Sequence, residues 1–269
     1  MVINYESCVS DRGTPLSGKA YTFRTSTQRA RDMLTIGADL AGLANNHVYD
    51  YGKTAFLDTI DTFRQMGIPT IGAGANEKEA YAPYYYEQSG VKIAFIAASR
   101  AEKNYMTPVA TENTPGIAGC YDTALVCAQI KEAKKQADYV IVYVHFGAEY
   151  STVIEKVQRK AAQDFIDAGA DLIVGHHAHI LQGIEYYKGK PIFYGLGNYL
   201  FNSNDQASAL LEVTFQSPDK LSFKIIPCRQ KDCRLVGTEG SADGQATLAS
   251  LRKLSPGVHI DENGVICEE

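Results

Sequence analysis

Four of the six histidines in this chain follow short apolar runs that predict buried strands: His47, His145, His177 and His179. Imidazole binds Zn, Mn and Fe, and it also transfers protons near neutral pH. In an α/β sheet, ligand sites assemble at the carboxyl ends of the strands. His177 and His179 are two residues apart, so in an extended segment they point to the same side and can bind one ion. The spacing predicts a metal site at a sheet edge.

His145 and His47 also have simpler explanations when each is considered alone. His145 ends an apolar strand, a position typical of a hydrogen-bonded core histidine, and Asn46-His47 is typical of a turn. The combination favours a metal site, because several strands would bring imidazoles to one edge of the sheet. His176 points away from the neighbouring pair and His259 lies in the C-terminal tail, so neither is predicted to be a ligand.

Oxygen donors accompany the histidines. The Asn46 amide precedes His47, and the candidate carboxylates are Glu6 and Asp50. Asp50 has an alternative role, which is to turn the chain into the following helix. Imidazole, amide and carboxylate ligands together suit Mn, Zn or Fe. Two such ions would bind a phosphoryl oxygen between them and lower the pKa of a bridging water.

Strand-like and helix-like segments alternate along the chain, which predicts an α/β fold. Helices are predicted where apolar residues share one face, as do Phe56 with Ile60 and Val157 with Ala161. The predicted strands are short runs rich in β-branched and aromatic residues. These strands cover residues 39–44, 68–72, 91–98, 139–146, 171–175 and 191–196, and the helices cover 56–63, 124–137, 157–166 and 247–254.

The C-terminal third has a different pattern. Two apolar runs within 210–227 flank Ser217-Pro218-Asp219-Lys220 and predict a β-hairpin. A surface loop is predicted at 237–244 and a turn at 262–264. The chain contains no internal repeat and no linker-like tract, so one domain over residues 1–269 is the simplest architecture.

Composition excludes several classes of protein. The 269 residues carry 26 basic and 31 acidic side chains, and a net charge of −5 disfavours nucleic-acid binding by phosphate neutralisation. No apolar run approaches the roughly 20 residues that span a bilayer. The first residues resemble no signal peptide. Six cysteines without a CxxC pair disfavour a cysteine zinc site, and leave free thiols or one or two local disulfides as alternatives.

Extended strings in this chain resemble the CapA family, the poly-γ-glutamate capsule biosynthesis proteins of the calcineurin-like metallophosphatase superfamily. The first string is GADLAGLANNHVYDYGKTAFLDTIDTF, followed by ANEKEAYAP and VHFGAEY, and the last is GADLIVGHHAHILQGIEYYKGKPIFYGLGNYLF. The resemblance implies a four-layer α-β-β-α sandwich that holds one or two divalent ions of Mn, Zn or Fe. It also implies an anionic polymer or phosphoester as substrate, other capsule-synthesis proteins as partners, and a location on the outer face of the bacterial cell envelope.

The resemblance also assigns roles to individual residues. His47 would stabilise charge or protonate a leaving group. As an alternative to a substrate contact, Arg24 could form a surface ion pair and Glu149 could lie on a solvated face. The implied metal ligands are Glu6, Asn46, His145, His177 and His179, and the implied substrate contacts are Arg24, Asn45 and Glu149.

One departure concerns the N-terminus. Family members open with a strand ending in Gly-Asp, whose aspartate is a metal ligand, and this chain begins after that point. The leading expectation is a hydrolase in which an activated water attacks a phosphoester or an amide. The alternative is a non-catalytic envelope component for polymer synthesis or export, with a vestigial metal site. A TIM-barrel amidohydrolase is disfavoured. In that fold the HxH pair lies near the N-terminus, whereas in this chain it lies at residues 177–179.

Overall fold

Short strands and helices alternate from the first residues of the chain in the computed structural model. The structure describes residues 1–102, 106–201, 205–217 and 220–269. The chain forms two compact units: the first unit contains Met1–Tyr86 and Ile93–His145, and the second contains Glu87–Lys92 and Phe146–Glu269.

The N-terminal half contains most of the predicted ligand residues, in its strands and the loops between them. Its elements are β1 (Val2–Asn4), β2 (Cys8–Val9), β3 (Arg24–Thr25), α1 (Thr27–Ala30), β4 (Leu40–Gly42), α2 (Gly52–Gln65), β5 (Thr70–Ile71), β6 (Ala73–Gly74), α3 (Glu77–Ala80), β7 (Tyr84–Gln88), β8 (Val91–Ser99), β9 (Gly116–Ile117), α4 (Ala124–Lys134) and β10 (Tyr139–His145), with a 3-10 turn at Arg31–Leu34.

Parallel pairing brings strand ends together in the first unit. β1, β4 and β5 form a parallel sheet in that order. β8 and β10 pair in parallel from Ile93 opposite Tyr139 to Ser99 opposite His145. These strands are almost continuously apolar, as expected when both faces of a parallel pair are buried. The strands predicted at 39–44, 68–72, 91–98 and 139–146 are therefore confirmed, in part with shorter bounds.

Helix α2 anchors the core of the first unit. Phe56, Ile60 and Phe63 are buried on the predicted face and pack in one cluster with Leu43 and Val9. Burying side chains of this size contributes about 1.5–3 kcal/mol each. This packing fixes the loop that precedes α2, and that loop contains Asn46 and His47.

The second unit combines a small mixed sheet with an antiparallel one. Its elements are α5 (Lys156–Asp167), β11 (Leu172–His176), β12 (Ile184–Tyr187), β13 (Lys190–Phe193), β14 (Gln206–Ser217), β15 (Lys220–Lys231), β16 (Arg234–Gly237), α6 (Ala242–Leu254), β17 (Val258–Ile260) and β18 (Val265–Glu268). β13 pairs with β11 in parallel and with β12 in antiparallel fashion. The hairpin predicted at 210–227 is confirmed as β14–β15, and the predicted turn residues Pro218 and Asp219 lie outside the described residues.

Some expectations required correction. Helix α6 begins at Ala242 instead of residue 247, because Ser241 caps it by accepting the Gly244 N–H at 3.1 Å. Val157 was predicted on the buried face of a helix, but it is exposed. In the first turn of α5, which begins at Lys156, Gln158 is the buried residue. All six cysteines lie in the described part of the chain and are free thiols. Among the described residues, none of the helices has the length and hydropathy to cross a bilayer.

Candidate metal centre

Strand ends in the first unit position one group of the predicted ligands. Glu6 lies two residues beyond β1, Asn46 lies in the loop after β4, and His145 is the last residue of β10. β1 and β4 are parallel neighbours, so their carboxyl ends lie at the same edge. This arrangement is the one in which α/β sheets build ligand sites.

The three side chains present donor atoms at distances that suit a metal ion. His145 Nε2 lies 2.8 Å from Asn46 Oδ1 and 3.4 Å from Glu6 Oε1. Donors that share an ion at about 2.1 Å are roughly 3.0–3.4 Å apart at tetrahedral or octahedral angles. The distance to Glu6 falls in this range, and the distance to Asn46 is that of a hydrogen bond, slightly shorter than the range. Asn4 Nδ2 donates to the other Glu6 oxygen at 3.2 Å and orients the carboxylate. The residues present therefore fit a divalent ion with nitrogen and oxygen ligands.

His47 is held by a buried carboxylate. Its Nδ1 lies 2.7 Å from Asp50 Oδ2, and the same oxygen accepts the Phe23 N–H at 2.6 Å. Since the carboxylate is an acceptor, the network assigns the proton to Nδ1 and leaves Nε2 as the reactive nitrogen. Asp50 has no exposed surface. Its sequence alternatives were metal ligand or turn residue, and the structure gives it a further role as the partner of His47.

Asn45, a predicted substrate contact, is buried and hydrogen-bonded. Its side chain is fully buried, its Nδ2 donates to the Tyr5 carbonyl at 2.8 Å, and its Oδ1 accepts the His47 N–H at 3.0 Å. Both ends of the amide thus hydrogen-bond to the protein backbone. This burial favours a positioning role for Asn45 over direct contact with a substrate.

A buried thiol, Cys8, lies close to this region. Burial raises the pKa of Cys8 to about 12, and the negative charge of Asp50 contributes to the rise. A thiol with that pKa stays protonated at neutral pH, which disfavours it as a nucleophile.

The HxH pair of the second unit lies just beyond β11. His177 and His179 have backbone φ angles of 93° and 59°, and their ring centroids are 6.2 Å apart. The segment is therefore left-handed at both histidines, and the expectation of an extended segment there was wrong. Left-handed backbone costs roughly 1–2 kcal/mol for a residue with a Cβ. Strain of this kind persists where the surrounding structure enforces it, often at functional sites.

Neighbouring residues orient His179. Asn198 Oδ1 lies 2.9 Å from its Nδ1, and this bond makes Nε2 the nitrogen that would bind a ligand. The rings of Tyr150 and Phe201 lie 5.7 and 5.0 Å from the His179 ring. The Tyr150 N–H also donates to the Ala178 carbonyl at 2.8 Å, which ties the loop after residue 146 to the histidine pair. Sequence reasoning missed Asn198, whose signal was its position two residues after the segment 191–196.

Two predicted substrate contacts lie on exposed positions. The Arg24 guanidinium lies 4.2 Å from the centre of the Tyr51 ring, which holds the side chain by a cation–π contact. Glu149 is exposed in the loop that precedes Tyr150. Both residues are accessible, and their contacts with a substrate stay predictions.

Comparison with known proteins identifies relatives. The family model described as "Bacterial capsule synthesis protein PGA_cap" matches residues 1–203. PGA biosynthesis protein CapA of Bacillus subtilis (strain 168) is 32% identical over 229 residues, which cover 83% of this chain and 60% of the relative. Capsule biosynthesis protein CapA of Bacillus anthracis is 32% identical over 230 residues, covering 83% of this chain and 53% of the relative. The chain thus spans less than two thirds of the length of these relatives.

Solved structures identify the fold. NAD nucleotidase (NadN) of Haemophilus influenzae matches with a TM-score of 0.52 at 17% identity, covering 88% of this chain and 50% of that one. A hypothetical protein from Thermus thermophilus matches with a TM-score of 0.50 at 14% identity, covering 83% and 88%. These similarities confirm the predicted α/β fold of metallophosphatase type. By the family match over residues 1–203, this chain belongs to the bacterial capsule synthesis protein family, PGA_cap.

Proposed function

We propose that this chain acts in the synthesis of a poly-γ-glutamate capsule as a metal-dependent hydrolase. Support for the capsule role comes from membership of the PGA_cap family and from the names of the two Bacillus relatives. The proposed substrate is an anionic polymer or a phosphoester, and the proposed location is the outer face of the cell envelope, with other capsule-synthesis proteins as partners. Arg24 and Glu149 are the proposed substrate contacts.

The proposed ligand set is that of the sequence prediction. Glu6, Asn46 and His145 are its members from the first unit, and His177 and His179 are its members from the second. Support comes from the donor distances of 2.8 and 3.4 Å around His145 and from the Asn198 bond that orients the His179 ring. One or two ions of Mn, Zn or Fe would supply Lewis-acid polarisation and lower the pKa of a water.

His47 is the proposed proton donor to the leaving group. The observation that carries this role is the buried 2.7 Å bond between His47 Nδ1 and Asp50. A carboxylate in that position fixes the ring orientation and tautomer, and it stabilises the imidazolium that donates a proton from Nε2. Because Asn46 immediately precedes His47, one loop supplies both a ligand and the acid.

The test compares His47→Ala with wild type after loading with Mn²⁺. The probes are bis(p-nitrophenyl) phosphate, p-nitrophenyl phosphate and γ-glutamyl-p-nitroanilide, which separate diester, monoester and amide hydrolysis. We expect wild type to hydrolyse one probe class, and His47→Ala to lose about two to four orders of magnitude in kcat with its metal content unchanged. His259→Ala, at an exposed histidine of β17, is the matched control.

A wild-type protein that binds metal and turns over none of the three probes would contradict the hydrolase proposal. That result would favour the non-catalytic envelope component. A His47→Ala variant with wild-type kcat would remove His47 from the reaction.

A further inference from the structure

A lysine that no sequence pattern singled out is buried beside the Asn46–His47 loop. The Lys19 side chain is only 6% exposed. Among the described residues, its Nζ is close to three acceptors: Asp50 Oδ1 at 2.6 Å, Glu102 Oε2 at 3.1 Å, and the Asn46 carbonyl oxygen. The contacts to Glu102 and to the Asn46 carbonyl are hydrogen bonds, and the contact to Asp50 is an ion pair.

Two of the acceptors of Lys19 belong to residues with proposed roles at the site, Asn46 and Asp50. Asn46 is a proposed metal ligand, and its carbonyl is also 2.9 Å from the Thr107 hydroxyl. Asp50 uses its Oδ1 for Lys19 and its Oδ2 for His47. One ammonium group therefore touches the peptide of the ligand and the carboxylate that orients the proton donor.

Segment 16–23 is tied to the same loop by backbone bonds as well. The Leu16 N–H donates to the Asp50 carbonyl at 2.8 Å, and the Phe23 N–H donates to Asp50 Oδ2 at 2.6 Å. Lys19 lies between these two attachments, so its Cα is already fixed near the loop. Because the Lys19 backbone is fixed, its side-chain contacts restrict the positions of Asn46 and Asp50.

Stability alone is a weak reason for such an arrangement. Taking an ammonium and two carboxylates out of water is costly, and replacing a buried ion pair with apolar side chains is often neutral or stabilising. Groups that orient metal ligands have a different effect, since their loss lowers metal affinity by about 10- to 100-fold. The two explanations therefore predict different outcomes for a neutral substitution.

We propose that Lys19 is a positioning residue that fixes the Asn46 ligand and the Asp50–His47 pair at the same time. This inference rests on the proposed function, since it assumes that Asn46 binds a divalent ion. It adds a residue outside the ligand set and gives segment 16–23 a defined role at the site.

The experiment uses Lys19→Met, which keeps the length of the side chain and removes its charge and donors. The control is Lys190→Met, which removes a 2.8 Å ion pair to the buried Asp171 in the second unit. Mn²⁺ affinity is measured by isothermal titration at a temperature where every variant is folded. We expect the Mn²⁺ Kd to rise by about 10- to 100-fold in Lys19→Met and to be unchanged in Lys190→Met.

A second measurement needs no metal. The His47 amide shares a peptide plane with the Asn46 carbonyl, so loss of the Lys19 bond should shift the ¹H–¹⁵N resonance of His47 in the metal-free protein. An Mn²⁺ affinity within twofold of wild type together with an unmoved His47 resonance would overturn the proposal, because a purely structural ion pair alters only the unfolding midpoint.

Three further outcomes are possible. If Lys19→Met does not fold, Lys19→Met/Asp50→Asn is compared with Asp50→Asn. The double variant should bind Mn²⁺ more weakly than the single one, and equal affinity would overturn the proposal. If wild type binds Mn²⁺ without hydrolysing any probe, the hydrolase proposal fails and the affinity comparison still tests Lys19. If wild type binds no Mn²⁺, the proposed function fails, and the role of Lys19 in positioning a metal ligand fails with it.

Discussion

The two units orient their histidines by different means. In the first unit, His47 is held by Asp50, and Asp50 is paired with the buried ammonium of Lys19. In the second unit, His179 is held by the neutral amide of Asn198, and the backbone at His177 is left-handed. One histidine is thus fixed by charge and the other by a neutral hydrogen bond and chain conformation.

The difference shows how much stability depends on each kind of partner. Buried charges interact strongly, and they are severely destabilising when one partner is removed. Burying a neutral amide costs less free energy than burying a charge, and removing its partner destabilises the fold less. The second unit uses such amides around its histidine loop as well: Gln158 Nε2 donates to Gln182 Oε1 at 2.9 Å, and Gln182 Nε2 donates to the Ser151 carbonyl at 2.7 Å. The contrast predicts a graded response to substitution.

The largest effect is expected for Asp50→Asn, which removes a charge from the buried pair. We expect a loss of about 3 kcal/mol in the free energy of unfolding, at the low end for a broken buried pair because Glu102 still faces Lys19. Urea denaturation measures this loss. The control Asp61→Asn removes an exposed ion pair with Arg64 and should cost about 0.5 kcal/mol or less. Equal losses in both variants would remove the contrast between buried and exposed charge.

A smaller effect is expected for Gln182→Ala in the second unit. The substitution removes the partners of the Gln158 amide and of the Ser151 carbonyl, and buried polar groups left in this way cost about 1–3 kcal/mol. Gln136→Ala, at an exposed position of the first unit, is the control for urea denaturation. A loss larger than that of Asp50→Asn would reverse the comparison between the units.

The smallest effect concerns backbone strain at His177. Glycine adopts a φ of 93° without a Cβ clash, so we expect His177→Gly to be more stable than His177→Ala by about 1 kcal/mol. At an ordinary strand or helix position, glycine is the less stable of the two. Thermal unfolding of the two variants measures the difference. If alanine is the more stable residue here, the left-handed backbone is not a source of strain.

Sequence reasoning predicted the strands well because apolar runs of strand length carry a direct signal. The bounds of β8 and β10 agree with 91–98 and 139–146 to within a residue. The same reasoning placed His145 at a strand end. The expectation that residues 1–269 form one domain stays a prediction.

Positioning residues were much harder to predict from the sequence. Lys19 and Asn198 lie in segments without apolar periodicity, and their partners at Asp50 and His179 are 31 and 19 residues away in the chain. Such contacts depend on tertiary packing, which a local pattern does not encode. The predicted conformation at His177 was wrong for a related reason. Its left-handed backbone is imposed by the surrounding structure and not by the local preference of the residue.

The central claim is that this chain binds a divalent ion through Asn46 and His145. The most direct measurement is the metal stoichiometry and Mn²⁺ affinity of wild type, Asn46→Ala, His145→Ala and the control His259→Ala. We predict one or two ions per chain in wild type and in the control, and at least about a tenfold loss of affinity in each ligand variant. Wild-type protein without stoichiometric metal, or ligand variants with unchanged affinity, would contradict the account.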